Sequence, residues 1–104
     1  MNTKELRALI QRALSEPTAI RNWTHFSGYI GEDFEAQAGP AGVTCFLPQE
    51  RYVPMEEIEQ VYLRWEPYCK GDIPRYEIRD ITKHSKYAIS ILHQLLQEDQ
   101  RQTL

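Results

Sequence analysis

Cysteine is scarce in this sequence, and long apolar runs are missing. Cys45 and Cys69 are the two cysteines of the chain, too few for a disulfide framework, and they form no Cys-x-x-Cys pair that would suggest metal or redox chemistry. We therefore expect two reduced thiols in the core. The longest stretch without a charged side chain, residues 36–49, has 14 residues. It contains two prolines and two glycines and is too short to cross a bilayer.

Signatures of targeting, cofactor binding and catalysis are also lacking. No apolar run follows a basic one at the start of the chain, so we expect no signal peptide and a cytoplasmic location. The three histidines lack a paired spacing such as His-x-x-x-His, and no glycine-rich segment leads into a helix as a phosphate-binding loop does. We expect no cofactor and no metal, and the sequence favours a protein without enzymatic activity.

Positive charge is in deficit. The chain has 12 Lys and Arg against 15 Asp and Glu, a net charge of −3. Residues 1–69 hold six positive and ten negative charges, a net charge of −4. Residues 70–86 hold five positive and three negative charges, a net charge of +2. Because phosphate contacts supply most nonspecific affinity for nucleic acid, an acidic chain is a poor general binder of DNA.

The apolar pattern predicts one α+β domain over residues 1–104, with a frayed polar tail at 97–104. Residues 2–14 show the spacing of one helical face, and Asn2 and Glu5 are placed to form a capping box. The chain is then expected to form a three-stranded antiparallel meander, in which Gly31-Glu32 makes the first reversal and Pro48 ends the last strand. The strands of this meander are predicted at 23–30, 34–38 and 43–47.

Two or three helices are expected after the meander, packed on one face of the sheet. Met55, Ile58, Val61, Tyr62 and Trp65 form a helical stripe, although a strand with Val61, Leu63 and Trp65 on one face is a competing interpretation. Gly71 is a suitable left-handed stop for this helix.

The pattern of residues 72–81 leaves two alternatives open. They fit either a short helix capped by Asp72 or an extended strand. Ser85 is predicted to cap a final helix with an apolar face from Ala88 to Leu96. A three-stranded sheet leaves two open edges, so we also expect a homodimer.

Aromatic residues are plentiful, with two Trp, six Tyr and three Phe. Most should fill the core between sheet and helices, but some are expected to rim a pocket or a partner surface, where amphipathic rings are favoured. The candidates for this surface are Tyr52, Tyr62, Trp65 and Tyr68. The first functional hypothesis is therefore a binding module that recognises a protein or a small molecule.

Residues 74–94 are the basis of a second hypothesis, a nucleic-acid-binding regulator. This segment looks in part like a helix-turn-helix, since Ile78, Ile89 and Leu92 stand where that family packs its two helices together. Arg79 and Lys83 depart from the family's small residue and turn glycine. The residues that would contact nucleic acid are Lys83, Lys86, Ser90 and Gln94.

Two constellations keep a small enzyme as a third possibility. The spacing of Arg79 and His84 is similar to the catalytic motif of the all-helical HEPN ribonucleases, which implies a histidine acid or base and a phosphate-holding arginine. The predicted strands contradict an all-helical bundle. His25, Asp33 and Glu35 would converge across the first predicted hairpin, and a carboxylate beside an imidazole is the minimum for proton transfer.

In overall character the chain is short, acidic and rich in aromatic residues. It resembles orphan proteins carried on phages and integron gene cassettes, with the stretch from Tyr68 to Tyr87 the most familiar part. This resemblance implies no activity.

Overall fold

The structure is a computed structural model that describes the backbone of residues 1–46 and 49–102, with side chains as far as Gln97. It is an α+β fold, as the sequence predicts. No helix in the described ranges is long and apolar enough to cross a membrane. The elements in chain order are α1 (Thr3–Ala13), β1 (Thr18–Ile20), β2 (Trp23–Thr24), β3 (Gly28–Tyr29), β4 (Phe34–Ala38), β5 (Gly42–Phe46), β6 (Arg51–Pro54), α2 (Met55–Leu63), α3 (Trp65–Cys69), α4 (Arg75–Ile81) and α5 (Ser85–Gln102).

Helix α1 begins with the predicted capping box. Asn2 Oδ1 accepts a hydrogen bond from the Glu5 amide at 2.8 Å, and Glu5 Oε1 accepts one from the Asn2 amide at 3.3 Å. Leu6, Leu9 and Ile10 form the buried face of the helix. A side-chain cap of this kind satisfies backbone donors that have no partner within the helix.

The main sheet has four antiparallel strands in the order β1-β4-β5-β6, so the predicted three-stranded meander is wrong in strand count. Strand β4 matches its predicted range, and β5 lies one residue earlier than predicted, while Leu47 and Pro48 lie outside the described residues. Strands β1 and β6 were not predicted, because strands of three and four residues are too short to show a clear period of two.

The predicted strand 23–30 is wrong, because this segment folds back on itself as the β2–β3 hairpin. Trp23 pairs with Tyr29 and Thr24 with Gly28. Thr24 Oγ1 accepts a hydrogen bond from the Ser27 amide at 3.2 Å, and Gly28 has a φ of 68°. The left-handed glycine closes a tight turn within the run, so β4 pairs with β1 instead.

The core lies between one face of the sheet and the helices. The paired residues Ile20 and Phe34 point to this face and are buried, as is Cys45. Burial raises the pKa of the Cys45 thiol to about 12, as expected for a core thiol. Helix α5 crosses the core and packs against α1, α2, α4, β1 and β2.

The chain after Pro54 is helical, so the competing strand over 61–65 is wrong. The predicted single helix is broken at Arg64, where φ is −111° and ψ is 11°. Pro67 explains the break, because it has no N–H to donate to the carbonyl four residues earlier. Helix α3 ends at Cys69, and the predicted left-handed stop, Gly71, follows its C-cap with a φ of 79°.

Residues 75–81 form helix α4 rather than a strand. Pro74, and not Asp72, occupies the position before its first turn. Ser85 is the first residue of α5 rather than its cap, and Thr82 Oγ1 accepts a hydrogen bond from the His84 amide at 2.9 Å in the preceding turn. Helix α5 continues to Gln102 and includes most of the predicted tail, while residues 103–104 lie outside the described part. Fraying of that tail stays a prediction.

Candidate functional site

A cleft of about 560 Å³ opens where the β2–β3 hairpin meets helices α3 and α5. Three separate parts of the chain build its walls, so no single segment of the sequence contains it. The cleft is lined by Trp23, His25, Trp65, Glu66, Cys69, Lys70, His93, Leu96 and Gln97.

Four rings in contact, which we call the aromatic cluster, connect these walls. Trp23 stacks on His93 with ring centroids 3.8 Å apart and planes within 8°. Trp23 also meets Trp65 at 6.1 Å, and Trp65 meets Tyr68 at 5.8 Å, both in tilted arrangements. Tyr68 is fully buried beneath the cleft, whereas the two tryptophans are partly buried and line it. The two indole rings therefore face the cleft and are supported from below by the buried Tyr68 ring.

Two hydrogen bonds from backbone amides of the hairpin to hydroxyl side chains of the helices hold the hairpin in place. The Trp23 amide donates to Ser90 Oγ at 3.0 Å, and the His25 amide donates to the Tyr68 hydroxyl at 3.2 Å. Both acceptors belong to buried side chains of α5 and α3. They place the Trp23 ring beside His93, which is one turn of helix beyond Ser90.

His93 is the buried titratable group of the cleft. Burial lowers the pKa of this imidazole from its ordinary value of 6.5, so the ring is neutral at pH 7. Its Nδ1 is buried and has no hydrogen-bond partner among the described residues. Tyr29 meets the ring edge-on at 5.6 Å, and the Arg21 guanidinium lies 3.7 Å from the centroid of the Tyr29 ring.

The rim of the cleft is polar. Lys70 Nζ and Glu66 Oε1 form an exposed ion pair at 2.8 Å, which lowers the pKa of the carboxyl group and raises that of the amine. Cys69 is partly buried, and burial raises the pKa of its thiol, so it remains protonated at neutral pH. Gly71 lets the hairpin approach, because a Cβ there would lie 3.1 Å from His25 Nε2.

The four aromatic residues predicted from the sequence do not form one surface. Trp65 lines the cleft, and Tyr68 is buried below it. Tyr62 lies in a neighbouring cleft of about 490 Å³, where its hydroxyl donates to the Met1 carbonyl at 2.8 Å. Tyr52 is exposed on β6 and pairs with Thr44 in the main sheet. Trp65 contacts Tyr68 and also lines the neighbouring cleft with Tyr62, so Tyr52, on the sheet, is the ring that lies apart from the other three.

Trp23 and His93, the two stacked rings, were not predicted as site residues. Trp23 was expected in a long strand, because the reversal at Gly28 was not recognised. The signal for His93 was its spacing, since it stands four residues after Ile89 and three before Leu96 on the apolar face of α5. A histidine on such a face is a candidate for burial.

The predicted nucleic-acid contacts divide into two groups. Lys83 and Lys86 are exposed. Ser90 is buried and holds the hairpin, as described above. Gln94 is also engaged within the fold, because its Oε1 accepts from the Arg21 amide and its Nε2 donates to the Ala19 carbonyl, both at 2.9 Å. Neither Ser90 nor Gln94 is free to face a groove.

The structure does not support the two sets of residues that suggested catalysis, Arg79 with His84 and His25 with Asp33 and Glu35. The hairpin that would join His25 to Asp33 and Glu35 does not form, and the rings nearest His25 are Phe26 and Tyr68. A sheet-containing fold is not the all-helical bundle implied by the Arg79 and His84 spacing. Among the side chains that the structure describes, residues 1–46 and 49–97, no three His, Cys, Asp or Glu group as a metal ion requires.

Comparison of the chain with protein-family models, with curated proteins and with solved structures found no match. The cleft and its aromatic cluster are therefore interpreted from their own geometry and chemistry.

Proposed function

We propose that the protein is a non-enzymatic binding module whose cleft takes a small, flat aromatic molecule. The observation that carries this proposal is the convergence of both tryptophans of the chain and a neutral histidine at one cleft. Trp23, Trp65 and His93 come from three different elements. Their meeting is thus a property of the fold and not of one amphipathic segment.

The dimensions and chemistry of the cleft support a small ligand. Its volume of about 560 Å³ falls in the range of about 300–1,000 Å³ that is typical of small-molecule sites. Such sites combine apolar and aromatic walls with a few polar groups that fix orientation. Offset or tilted ring pairs each add about 0.5–1.5 kcal/mol beyond the burial of area. A flat ring placed against Trp65 would continue the stacking already present in the aromatic cluster.

The titratable groups of the cleft favour binding over covalent catalysis. The Cys69 thiol has a raised pKa and is a weak nucleophile at neutral pH. The Glu66 carboxylate is engaged by Lys70. These states suit groups that orient a ligand rather than groups that transfer protons to it.

Intrinsic fluorescence provides the test, because both tryptophans line the cleft and their emission reports on it. We expect a saturable change in emission on titration with at least one member of a set of flat heteroaromatic fragments, and saturation-transfer NMR should show the fragment in contact with protein. Trp65→Leu should abolish both signals, with its fold checked by circular dichroism. Tyr52→Ala, on the distant strand β6, is the matched control and should bind normally.

The proposal fails if no fragment gives a saturable response. It also fails if a folded Trp65→Leu variant binds as well as the original protein, because the ligand would then lie elsewhere.

A regulator that binds nucleic acid through residues 74–94 is a weaker candidate. Its support is that α4 and α5 are both helical and joined by a short turn, as that hypothesis requires. Lys83 and Lys86 are the two predicted contact residues that remain exposed, which is a small contact set for a phosphate backbone.

A further inference from the structure

We infer that His93 selects the ligand of this cleft by donating a hydrogen bond from Nε2, so that the cleft prefers a flat heteroaromatic ring with an acceptor on its edge. A ring of the same size with only a donor should bind more weakly. This inference rests on the proposed function, and it adds to it the chemical class of the ligand and the residue that recognises it.

The position of the proton on the neutral His93 ring follows from the surroundings of its two nitrogens. A neutral imidazole has one N–H donor and one bare acceptor nitrogen. His93 Nδ1 is buried with no partner among the described residues. Buried N–H groups without partners are rarer in proteins than buried acceptors without partners. The proton therefore belongs on Nε2, and the unpartnered Nδ1 carries the lone pair.

The surroundings of the His93 ring keep it uncharged. Trp23 covers one face of the ring and Tyr29 meets it edge-on, so water has little access to an imidazolium. The charged groups around the cleft have other partners, since Arg21 lies over the Tyr29 ring and Lys70 pairs with Glu66 at the rim. Burial therefore favours the neutral imidazole, which keeps a single donor.

The orientation of the His93 ring determines which of its nitrogens reaches the cleft. His93 is 8% exposed and lines the cleft, while Nδ1 is enclosed by protein. The part of the ring that reaches the cleft therefore consists of its other atoms, and Nε2 is the nitrogen at the outer end of the imidazole. Stacking on Trp23 at 3.8 Å fixes the plane of the ring. A donor held in this way needs no reordering when a ligand arrives.

Other polar side chains also line the cleft, namely His25, Cys69, Gln97 and the Glu66–Lys70 pair, and the His93→Phe variant below separates the role of His93 from theirs. Glu66 and Lys70 are exposed at the rim and bonded to each other. A ligand without an acceptor would cover the Nε2–H that faces the cleft and leave it unpaired, which sites of this type penalise strongly. We expect about a tenfold difference in Kd, which lies within the range for leaving one hydrogen-bond donor unpaired.

The experiment compares quinoline, whose ring nitrogen is an acceptor, with indole, whose ring nitrogen is a donor. Both are flat bicyclic rings, and both are neutral at pH 7.5. Titrations followed by saturation-transfer NMR should give a Kd for quinoline about tenfold lower than that for indole. His93→Phe keeps an aromatic ring against Trp23 but removes the donor, and it should bring the ratio of the two Kd values to about one.

Each outcome separates the inference from the proposed function. Equal affinities in the original protein, or a preference for quinoline that survives in His93→Phe, would overturn the role of His93 while leaving a ligand cleft. Failure of both probes to bind would overturn the selection by His93, whereas the proposed function falls only if no fragment of the wider set binds. The tautomer is measured independently in the unmodified protein by long-range ¹H–¹⁵N NMR. A proton on Nε2 is expected, and a proton on Nδ1 would contradict the inference even if the variant did not fold.

Discussion

His93 makes the stability of the fold depend on pH. Its pKa is lowered by burial in the folded protein and returns to about 6.5 in the unfolded chain. Between these two pKa values the unfolded chain binds more protons, so the free energy of unfolding falls as pH decreases through 6.5. His93 causes no further decrease in the free energy of unfolding once the pH is below its pKa in the folded protein. Above about pH 7.5 the group is neutral in both states and contributes no pH dependence.

We expect His93→Phe to remove this part of the pH dependence. Urea unfolding of both proteins at pH 7.5, 6.5 and 5.5 measures it, because the difference between the two curves cancels most other titrating groups. The advantage of the original protein over the variant should shrink toward pH 5.5. Parallel curves would show that His93 has the same pKa in both states.

The two cysteines should differ in their reaction with a thiol reagent. Cys45 is fully buried on β5 with a pKa of about 12, so it should react only when the protein unfolds. Cys69 is partly buried at the cleft and should react first, although slowly. Mass spectrometry of the labelled protein would show one modification before the second, and Cys69→Ser should remove the early one.

This labelling also reports on the cleft. A fragment that occupies it should slow the modification of Cys69 and leave that of Cys45 unchanged. If Cys45 reacted as fast as Cys69 under native conditions, the burial of Cys45 on β5 would be contradicted.

The sequence reveals single residues when their role is local. The capping box of Asn2 and Glu5 and the left-handed stop at Gly71 were predicted, because each depends on neighbours within a few positions. The stacking of Trp23 on His93 joins residues 70 positions apart through the hairpin and α5. No local pattern contains that contact, so the main feature of the candidate site was missed.

Strand β1 is an edge strand whose exposed hydrogen-bonding groups are partly covered by one side chain. The amide of Gln94 accepts from the Arg21 N–H and donates to the Ala19 carbonyl, as a neighbouring strand would. Covering an edge in this way satisfies the backbone and discourages pairing with another chain. It also fixes α5 to the sheet directly beside the hairpin.

We expect Gln94→Ala to destabilise the fold by about 1 kcal/mol, the scale of one or two net hydrogen bonds at a partly exposed position. Urea unfolding measures the change. Gln11→Ala, on the exposed face of α1, is the matched control and should change stability little. Equal effects of the two substitutions would mean that the bridge from α5 to β1 contributes nothing to stability.

Gly28 and Gly71 form a natural pair for testing the approach of the hairpin to α3. Both have positive φ, so alanine at either should cost about 1–2 kcal/mol. A Cβ at Gly28 would meet no atom within 4 Å, whereas one at Gly71 would lie 3.1 Å from His25 Nε2. We therefore expect Gly71→Ala to shift the NMR signals of the His25 ring more than Gly28→Ala. Equal shifts would contradict the close contact.

Element lengths explain which parts of the fold the sequence could predict. Helices α1 and α5 have 11 and 18 residues and show several turns of apolar spacing. Strands β1, β2 and β3 have three, two and two residues, which is too few for an alternation of buried and exposed residues to repeat. The partner of β4 depended on the turn at Gly28, so one unrecognised reversal changed the order of the sheet.

The homodimer expected from open sheet edges stays a prediction. The four-stranded sheet again ends in two edges, β1 and β6. Gln94 occupies part of the β1 edge, and β6 includes Arg51 and Pro54, a charge and a residue without an N–H. Both devices reduce edge-to-edge pairing. If two copies associate through a sheet edge, β6 is the more open of the two.

Net charge gives the last prediction, which separates the two binding hypotheses. The chain carries a net charge of −3, and an acidic surface repels a phosphate backbone. We expect no salt-dependent binding of mixed-sequence duplex DNA, measured by fluorescence anisotropy at low salt. Lys83→Ala combined with Lys86→Ala should then change nothing, and Lys4→Ala combined with Arg12→Ala, on α1, is the charge-matched control.

A positive result would have a distinct form. If Lys83 and Lys86 contact phosphate, binding must weaken steeply as salt rises, and their joint removal should lower the slope of log K against log salt by about one unit per lost contact. The α1 control variant should keep the original slope. Micromolar binding lost only in the Lys83 and Lys86 variant would favour the regulator, because nonspecific attraction would respond to both pairs alike. Its absence would leave the aromatic cleft as the binding surface to pursue.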